Sequence, residues 1–190
     1  QGEATITVTV SADGTATPSP VVFNYIVEAP PASPAPPQVT LPQLAFTDAT
    51  LPEGSHAVYT GPGDTYYQTD MEAPFAGGAV RLFGQENGWA MIGYDLGEGN
   101  YRVGYVAAAA FGDANIAPLQ LAGETLTLTD NATLTEDPYG NNQSLSAGLT
   151  AGTSVKALAT LDNWVYVEVS DLSGSGQPAR GFVPKASLGL

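Results

Sequence analysis

The residues that could carry acid–base or nucleophilic chemistry are few in this chain. His56 is the single histidine, and there is no cysteine. A hydrolytic triad or a zinc site needs several convergent groups, and one histidine without a thiol leaves little from which to assemble either. Carboxylates are abundant, but small β domains rarely supply the deep cleft that raises a carboxyl pKa for acid catalysis. We therefore predict a protein that is not an enzyme, that holds no metal or other cofactor, and in which His56 lies at a strand end.

Aromatic side chains are the better candidates for function. The predicted ligand-binding residues are Tyr59, Tyr66, Tyr67, Trp89 and Tyr105. Tyrosine and tryptophan combine a large contact area with a polar tip, which suits saccharide or peptide recognition. Neighbouring residues of an extended segment point to opposite faces, so we expect one of Tyr66 and Tyr67 to be exposed. Two alternatives stay open: Trp89 and the later Trp164 are core residues, and the tyrosines pack against another part of the chain.

The charge of the chain excludes some partners. Nineteen acidic residues against five basic ones give a formal net charge of −14. The basic residues are scattered: Arg81, Arg102, Lys156, Arg180 and Lys185. Nucleic-acid affinity needs clustered Lys and Arg, so we predict no nucleic-acid partner, and the mean field repels anionic wall polymers. The longest apolar run, residues 103–111, is far shorter than the roughly 20 residues that span a bilayer, so we predict no membrane insertion.

The elements that position these residues come as an internal repeat. The landmark pairs are Ala76 with Ala151, Trp89 with Trp164, and Gly104 with Gly181. The first two pairs differ by 75 positions (151 − 76 and 164 − 89) and the third by 77 (181 − 104), so one loop has grown by two residues. Extending the register backwards places residues 57–60 against residues 132–135. Since each copy of a repeat is one structural unit, we expect both copies to adopt the same topology.

The repeat resembles the bacterial SH3 (SH3b) domain family. The motifs that carry the resemblance in the first copy are Val58-Tyr59-Thr60-Gly61-Pro62, Asn87-Gly88-Trp89 and Gly104-Tyr105-Val106. The second copy is looser, since Glu136-Asp137-Pro138 replaces the Gly-Pro-Gly turn. The resemblance implies two tandem small SH3-like barrels that bind cell-wall peptidoglycan, through its peptide part, or a protein partner.

The expected fold is all-β, with the tandem SH3-like barrels preceded by a β-strand pair and a proline-rich linker. The predicted segments are residues 1–29 (strand pair), 30–45 (linker), 46–117 (first barrel) and 118–190 (second barrel). Alternating residues predict strands over 4–10 and 21–27. These strands are interpreted as the end of a preceding surface repeat or as a docking ribbon. Their edges carry few charges, so self-association through them is also an expectation.

The linker prediction depends on composition. Six of the thirteen residues from Pro30 to Pro42 are proline, which favours extended polyproline II and a semi-rigid spacer; a PxxP-type ligand is the alternative. Together the features predict a non-catalytic binding or targeting module of a secreted or cell-surface bacterial protein. The rival interpretations are a structural spacer and a regulatory region of a larger wall hydrolase. Within the module we expect the ligand on the Tyr59 to Tyr67 segment, with weak binding by the second copy because Glu136 and Asp137 add negative charge there.

Overall fold

The computed structural model describes residues 4–8, 21–25, 39–69, 73–140, 145, 148–172, 174 and 176–190. The chain divides into two compact units, Gln1–Gln38 and Val39–Leu190. In the first unit, strands β1 (Ala4–Val8) and β2 (Val21–Tyr25) pair antiparallel, as the alternation predicted. The proline-rich stretch up to residue 38 lies outside the described residues.

The second unit contains two antiparallel sheets. One is built from β3 (Thr47–Leu51), β4 (Val58–Tyr59), β5 (Gln68–Thr69), β6 (Gly78–Glu86), β7 (Trp89–Gly97) and β8 (Asn100–Ala107), in the order β3-β6-β7-β8-β4-β5. The other is built from β9 (Glu124–Thr127), β10 (Ser154–Leu161), β11 (Trp164–Val169) and β12 (Ala179–Pro184), in the order β12-β11-β10-β9. Single-turn 3₁₀ helices, Ala108–Phe111 and Lys185–Leu188, follow β8 and β12.

The all-β prediction is confirmed, because the described part of the chain contains strands and short 3₁₀ turns but no α-helix. The local chemistry explains the longest hairpin. Asn87 and Gly88 connect β6 to β7 and both have positive φ, 51° and 80°, as a two-residue hairpin turn that matches the strand twist requires. Among the described strands neither sheet closes on itself, so the strand order by itself gives two open sheets rather than closed barrels.

The internal repeat is visible in the strand pairing. The ladder β3-β6-β7-β8 of the first repeat (residues 46–117) is matched by β9-β10-β11-β12 of the second repeat (residues 118–190). Trp89 lies opposite Ala107 at the start of its strand, and Trp164 lies opposite Pro184 at the same place in its ladder. The tryptophans identified from spacing are therefore structurally equivalent.

Gly104 and Gly181 are equivalent because each is crossed closely by a segment of its own repeat, β4 in the first and residues 134–135 in the second. A Cβ on Gly104 would lie 2.6 Å from Val58 Cγ1, and one on Gly181 would lie 2.8 Å from Leu134 Cγ. Only glycine allows such an approach without displacing the neighbour.

These contacts correct the register predicted for residues 57–60, the segment that contains β4. Val58 corresponds to Leu134, and both are buried, whereas an offset of 75 had placed Val58 against Thr133. Tyr59 lies opposite Tyr105 and corresponds to Thr135, which lies opposite Phe182. The prediction was one residue out because the stretch from Val58 to Trp89 (89 − 58 = 31) is one residue longer than the stretch from Leu134 to Trp164 (164 − 134 = 30). A shift of one residue reverses the faces of an extended segment.

The second unit has three hydrophobic clusters. One lies within each repeat, around Ile92 in the first and Val167 in the second. The third, which we call the shared core, draws on both repeats: Leu44, Phe83, Met91, Val103, Tyr105, Leu158, Ala159, Leu161, Tyr166 and Phe182. Strand β7 thus buries both faces, with Ile92 in the cluster of its own repeat and Met91 in the shared core. Strand β11 also buries both faces, with Tyr166, the equivalent of Met91, in the shared core and Val167 in the cluster of its own repeat.

The segments that lead into the repeats cross from one repeat to the other. Before the first repeat, Pro42 O accepts from Thr160 N at 2.8 Å, and Leu44 N donates to Thr160 O at 2.7 Å. At the start of the second repeat, Gln85 N of the first repeat donates to Ala117 O at 2.8 Å, and Leu119 N donates to Gln85 O at 2.9 Å. The two exchanges are equivalent, because Ala117 lies 75 positions after Pro42 (117 − 42) and Thr160 lies 75 positions after Gln85 (160 − 85). The last residues of the predicted linker therefore belong to the folded unit.

Candidate functional site

Tyr59 and Trp89 are brought together on the surface of the first repeat. Their ring centroids lie 5.3 Å apart at an interplanar angle of 82°, an edge-to-face contact. Both side chains are half-buried, and Trp89 also packs against the shared core. Trp89 therefore has a packing role as well as some accessible surface.

Tyr66 and Tyr105 instead belong to a polar network between the repeats. The Tyr66 hydroxyl donates to Glu168 Oε2 at 2.8 Å, and Arg180 Nε donates to the same oxygen at 2.7 Å. Arg180 Nη1 forms an ion pair with Glu86 Oε1 and donates to the Tyr105 hydroxyl at 3.2 Å. Tyr105 is fully buried. The predicted site residue Tyr105 is thus placed in the interior, and Tyr66 follows the alternative in which a tyrosine packs against the other repeat.

The ionisation states in this network depend on Arg180. Burial would raise the pKa of Glu168, but hydrogen bonds from Arg180 and Tyr66 outweigh it and hold that pKa below its ordinary value of 4.5. The carboxylate therefore stabilises the fold above pH 4.5, and this stabilisation is lost as the pH falls through the folded-state pKa. Burial raises the pKa of Tyr105 well above its ordinary value, so its hydroxyl keeps the proton.

Tyr67 is the exposed member of the Tyr66–Tyr67 pair, as the alternation predicted, with 36% of its surface accessible. Its backbone N–H donates to Pro178 O of the second repeat at 3.1 Å. The Tyr59 to Tyr67 segment is therefore fixed against the second repeat by a main-chain bond as well as by Tyr66. Only part of that segment faces solvent.

The acidic pair Glu136–Asp137 also has a structural role. Arg102 Nε donates to Glu136 Oε1 at 2.5 Å, and Val103 N donates to Glu136 O at 2.8 Å, so the segment is held against β8 of the first repeat. The Asp137 carboxylate accepts from three backbone N–H groups, those of Tyr101, Tyr139 and Gly140. Both acids are buried, 4% and 0% exposed. Both carboxylates are therefore occupied inside the protein, which removes the charge argument for weak binding by the second copy.

Arg81 makes a further contact between the repeats. Its guanidinium lies 4.4 Å from the ring centroid of Tyr139 and 5.0 Å from that of Tyr101, with Phe46 at 4.7 Å. Cation–π attraction of this kind is worth about 0.5–2 kcal/mol, more where water is excluded. Burial raises the pKa of Tyr101 to about 12. This aromatic cluster is occupied by the protein's own cation.

A groove of about 500 Å³ borders Trp164 in the second repeat. Its lining includes Thr133, Thr135, Leu149, Thr150, Trp164 and Pro184. In the first repeat the position of Thr135 is taken by Tyr59, whose ring lies against Trp89. The sequence could have indicated this difference, since the corrected register sets a small side chain against a large ring. The predicted register, which was one residue out, compared Tyr59 with Leu134 instead and so did not show the difference.

His56 and the acidic residues are the groups that could carry acid–base or metal chemistry. His56 forms an isolated antiparallel bridge with Phe75, two residues before β4, and its Nε2 lies 2.8 Å from the Pro52 carbonyl oxygen. No group of three or more His, Asp or Glu in the described ranges is placed to hold a metal ion. Within the same ranges no helix is long and apolar enough to cross a membrane.

The predicted site residues thus separate into two groups. Tyr66 and Tyr105 join the repeats, while Tyr59, Tyr67 and Trp89 keep accessible surface on the first repeat. Trp164 and its groove are the additional candidate. No family model, curated protein or solved structure matches the chain.

Proposed function

We propose that the second unit is a non-catalytic binding module of the bacterial SH3 type, two small barrel-like repeats that attach a larger secreted or cell-surface protein to wall peptidoglycan. The observation that carries the proposal is the groove beside Trp164, a cleft with an aromatic wall. In the first repeat the ring of Tyr59 occupies the equivalent place beside Trp89. Clefts with an aromatic wall and a few polar groups are typical of ligand sites. The sequence motifs around both tryptophans support the family resemblance.

The charge of the protein narrows the ligand. At a net charge of −14, the mean field disfavours anionic wall polymers such as teichoic acids. A neutral ligand, or one that carries amino groups as wall stem peptides do, is compatible with it. Peptidoglycan offers both kinds of group, whereas a protein partner would have to match the same acidic surface.

A structural spacer is the second candidate function. It is favoured by the Tyr59 to Tyr67 segment, where the hydroxyl of Tyr66 and the N–H of Tyr67 are both used for contact between the repeats. A spacer needs such internal contacts and no ligand. The two functions differ in whether the folded unit binds wall material.

Co-sedimentation with purified peptidoglycan sacculi, stripped of teichoic acids, tests the proposed function. We expect the full chain to pellet with the sacculi, and to do so in 0.5 M salt as well, because recognition of a neutral ligand depends little on screened charges (Debye length roughly 4 Å at that salt). We also expect the turbidity of the suspension to stay constant, since the module is not a hydrolase. Protein that remains in the supernatant at every sacculus concentration would favour the spacer.

A further inference from the structure

The groove beside Trp164 is a candidate for the ligand site of the proposed function. We infer that the ligand site lies in the second repeat, on the face of Trp164, and that it accepts a neutral saccharide chain. This inference rests on the proposed function and names its site and ligand class. It reverses the expectation that the first repeat binds and the second does not.

Comparison of the two repeats shows why the site is in the second. Tyr59 and Thr135 occupy the same place, opposite Tyr105 and Phe182 respectively. The Tyr59 ring covers Trp89 edge-on at 5.3 Å, whereas the small side chain of Thr135 leaves the corresponding space beside Trp164 open. One substitution between the copies thus fills one groove and opens the other.

The described lining of the groove fits a sugar. It consists of an aromatic ring, apolar surface from Leu149 and Pro184, and hydroxyl or amide side chains such as Thr133 and Thr150, and it includes no charged residue. A pyranose presents an apolar face and a rim of hydroxyls, so it can stack on the Trp164 ring while its hydroxyls bond to the polar rim. An ionic ligand would find no counter-charge in this lining.

The backbone beside the groove argues against an added peptide strand. Ala132 exchanges both main-chain hydrogen bonds with Leu149, at 2.9 and 2.6 Å. Thr135 exchanges both with Phe182, at 3.0 and 2.8 Å. A peptide that binds as an extra strand needs free main-chain groups. The main-chain groups of Ala132, Leu149 and Thr135 are therefore already paired within the protein, which disfavours an added strand along them and leaves their side chains to contact a ligand.

Tryptophan fluorescence tests the inference, because Trp89 and Trp164 are the only tryptophans. The probe is the neutral tetramer of N-acetylglucosamine, titrated into two variants of the full chain. In Trp89→Phe, where Trp164 is the reporter, we expect a saturable change of emission. In Trp164→Phe, where Trp89 reports, we expect no change. A change in the second variant and none in the first would overturn the inference, and so would the absence of a change in both.

A groove-filling substitution provides the second readout. Thr133 is exposed on the rim, so Thr133→Tyr should fill the groove without disturbing the core, and we expect it and Trp164→Ala to weaken binding to sacculi at least about tenfold. The matched control is Thr125→Tyr, an exposed threonine outside the lining, which should bind as the original protein does. Folding of each variant is checked by circular dichroism.

The outcomes separate the site from the function. If sacculi retain the original protein and both groove variants equally, the proposed function stands and the Trp164 site is wrong. If sacculi retain none of the proteins, the proposed function is wrong, and the fluorescence titration still decides the saccharide inference by itself.

Discussion

Residues 39–117 and 118–190, produced as separate chains, are expected to be unfolded at 25 °C. The large side chains of the shared core would lose their cover: Met91, Tyr105, Leu158, Tyr166 and Phe182. Fully exposing a side chain of this kind costs about 1.5–3 kcal/mol. Met91 and Tyr105 together account for about 3–6 kcal/mol in the first half, and Leu158, Tyr166 and Phe182 for about 4.5–9 kcal/mol in the second. These losses are comparable to the roughly 5–15 kcal/mol that keeps a whole domain folded. The second half would also lose its main-chain bonds to Pro42 and Leu44, and the first half would lose the bond from Leu119 to Gln85.

Far-ultraviolet circular dichroism with a thermal ramp is the measurement for the separated halves. We expect spectra of disordered chains and no cooperative melting for either half, while residues 39–190 melt cooperatively. The control is the same 39–190 chain cleaved at a protease site inserted at residue 117, which keeps both halves present. A cooperative melt from either half alone would show that the repeat is self-sufficient.

Arg180→Ala is expected to lower the free energy of unfolding by about 3–5 kcal/mol, because removing one partner leaves buried charge uncompensated. Arg180 is 7% exposed and neutralises Glu86 and Glu168, whose side chains are only 23% and 20% exposed. Arg180→Lys should recover part of the loss, since an ammonium cannot serve both carboxylates with the fork geometry of a guanidinium. Urea unfolding at pH 7 measures the differences.

The pH dependence distinguishes loss of this network from a general packing defect. In the original protein the pKa of Glu168 is depressed, so acidification from pH 7 through that pKa should remove stability. In Arg180→Ala the carboxylate loses its main partner, and the decrease on acidification should be smaller. Lys185→Ala, which removes one positive charge from the same repeat, is the control and should change stability by no more than about 0.5 kcal/mol. Equal pH profiles for Arg180→Ala and the original protein would contradict the role given to Arg180.

The features that could be predicted from the sequence are local ones. Alternating residues predicted β1 and β2, and the spacing of Trp89 and Gly104 predicted their equivalents 75 and 77 positions later. Each of these depends on a few neighbouring residues and on backbone rules that act within them.

The shared core could not be predicted in the same way. Met91 lies among apolar neighbours on β7, and an apolar run does not say which element covers its second face. Glu136, Asp137 and Arg180 read as exposed charges because charged residues are rarely buried unless paired. Their partners in the first repeat lie 34 to 94 positions away and meet them only once the two repeats have packed. Long-range pairing of this kind leaves no local pattern.

The candidate site shows the same division. The alternation of side-chain directions correctly predicted that one of Tyr66 and Tyr67 is exposed, and it is Tyr67. Tyr105 was chosen for its residue type, and it is buried against Arg180. A core position for Trp164 was the alternative because a tryptophan buries a large area, and the predicted register set Leu134 where Thr135 lies. The groove depends on that single residue.

Calorimetric unfolding of residues 39–190 tests most directly the claim that the two repeats complete one another. A unit with a shared core and exchanged lead-in segments should unfold in one transition, with a calorimetric enthalpy equal to the van't Hoff enthalpy, a ratio of about one. Arg180→Ala should move this transition as a whole to lower temperature. Two separate transitions, of which Arg180→Ala shifts only the one that belongs to the second repeat, would contradict it.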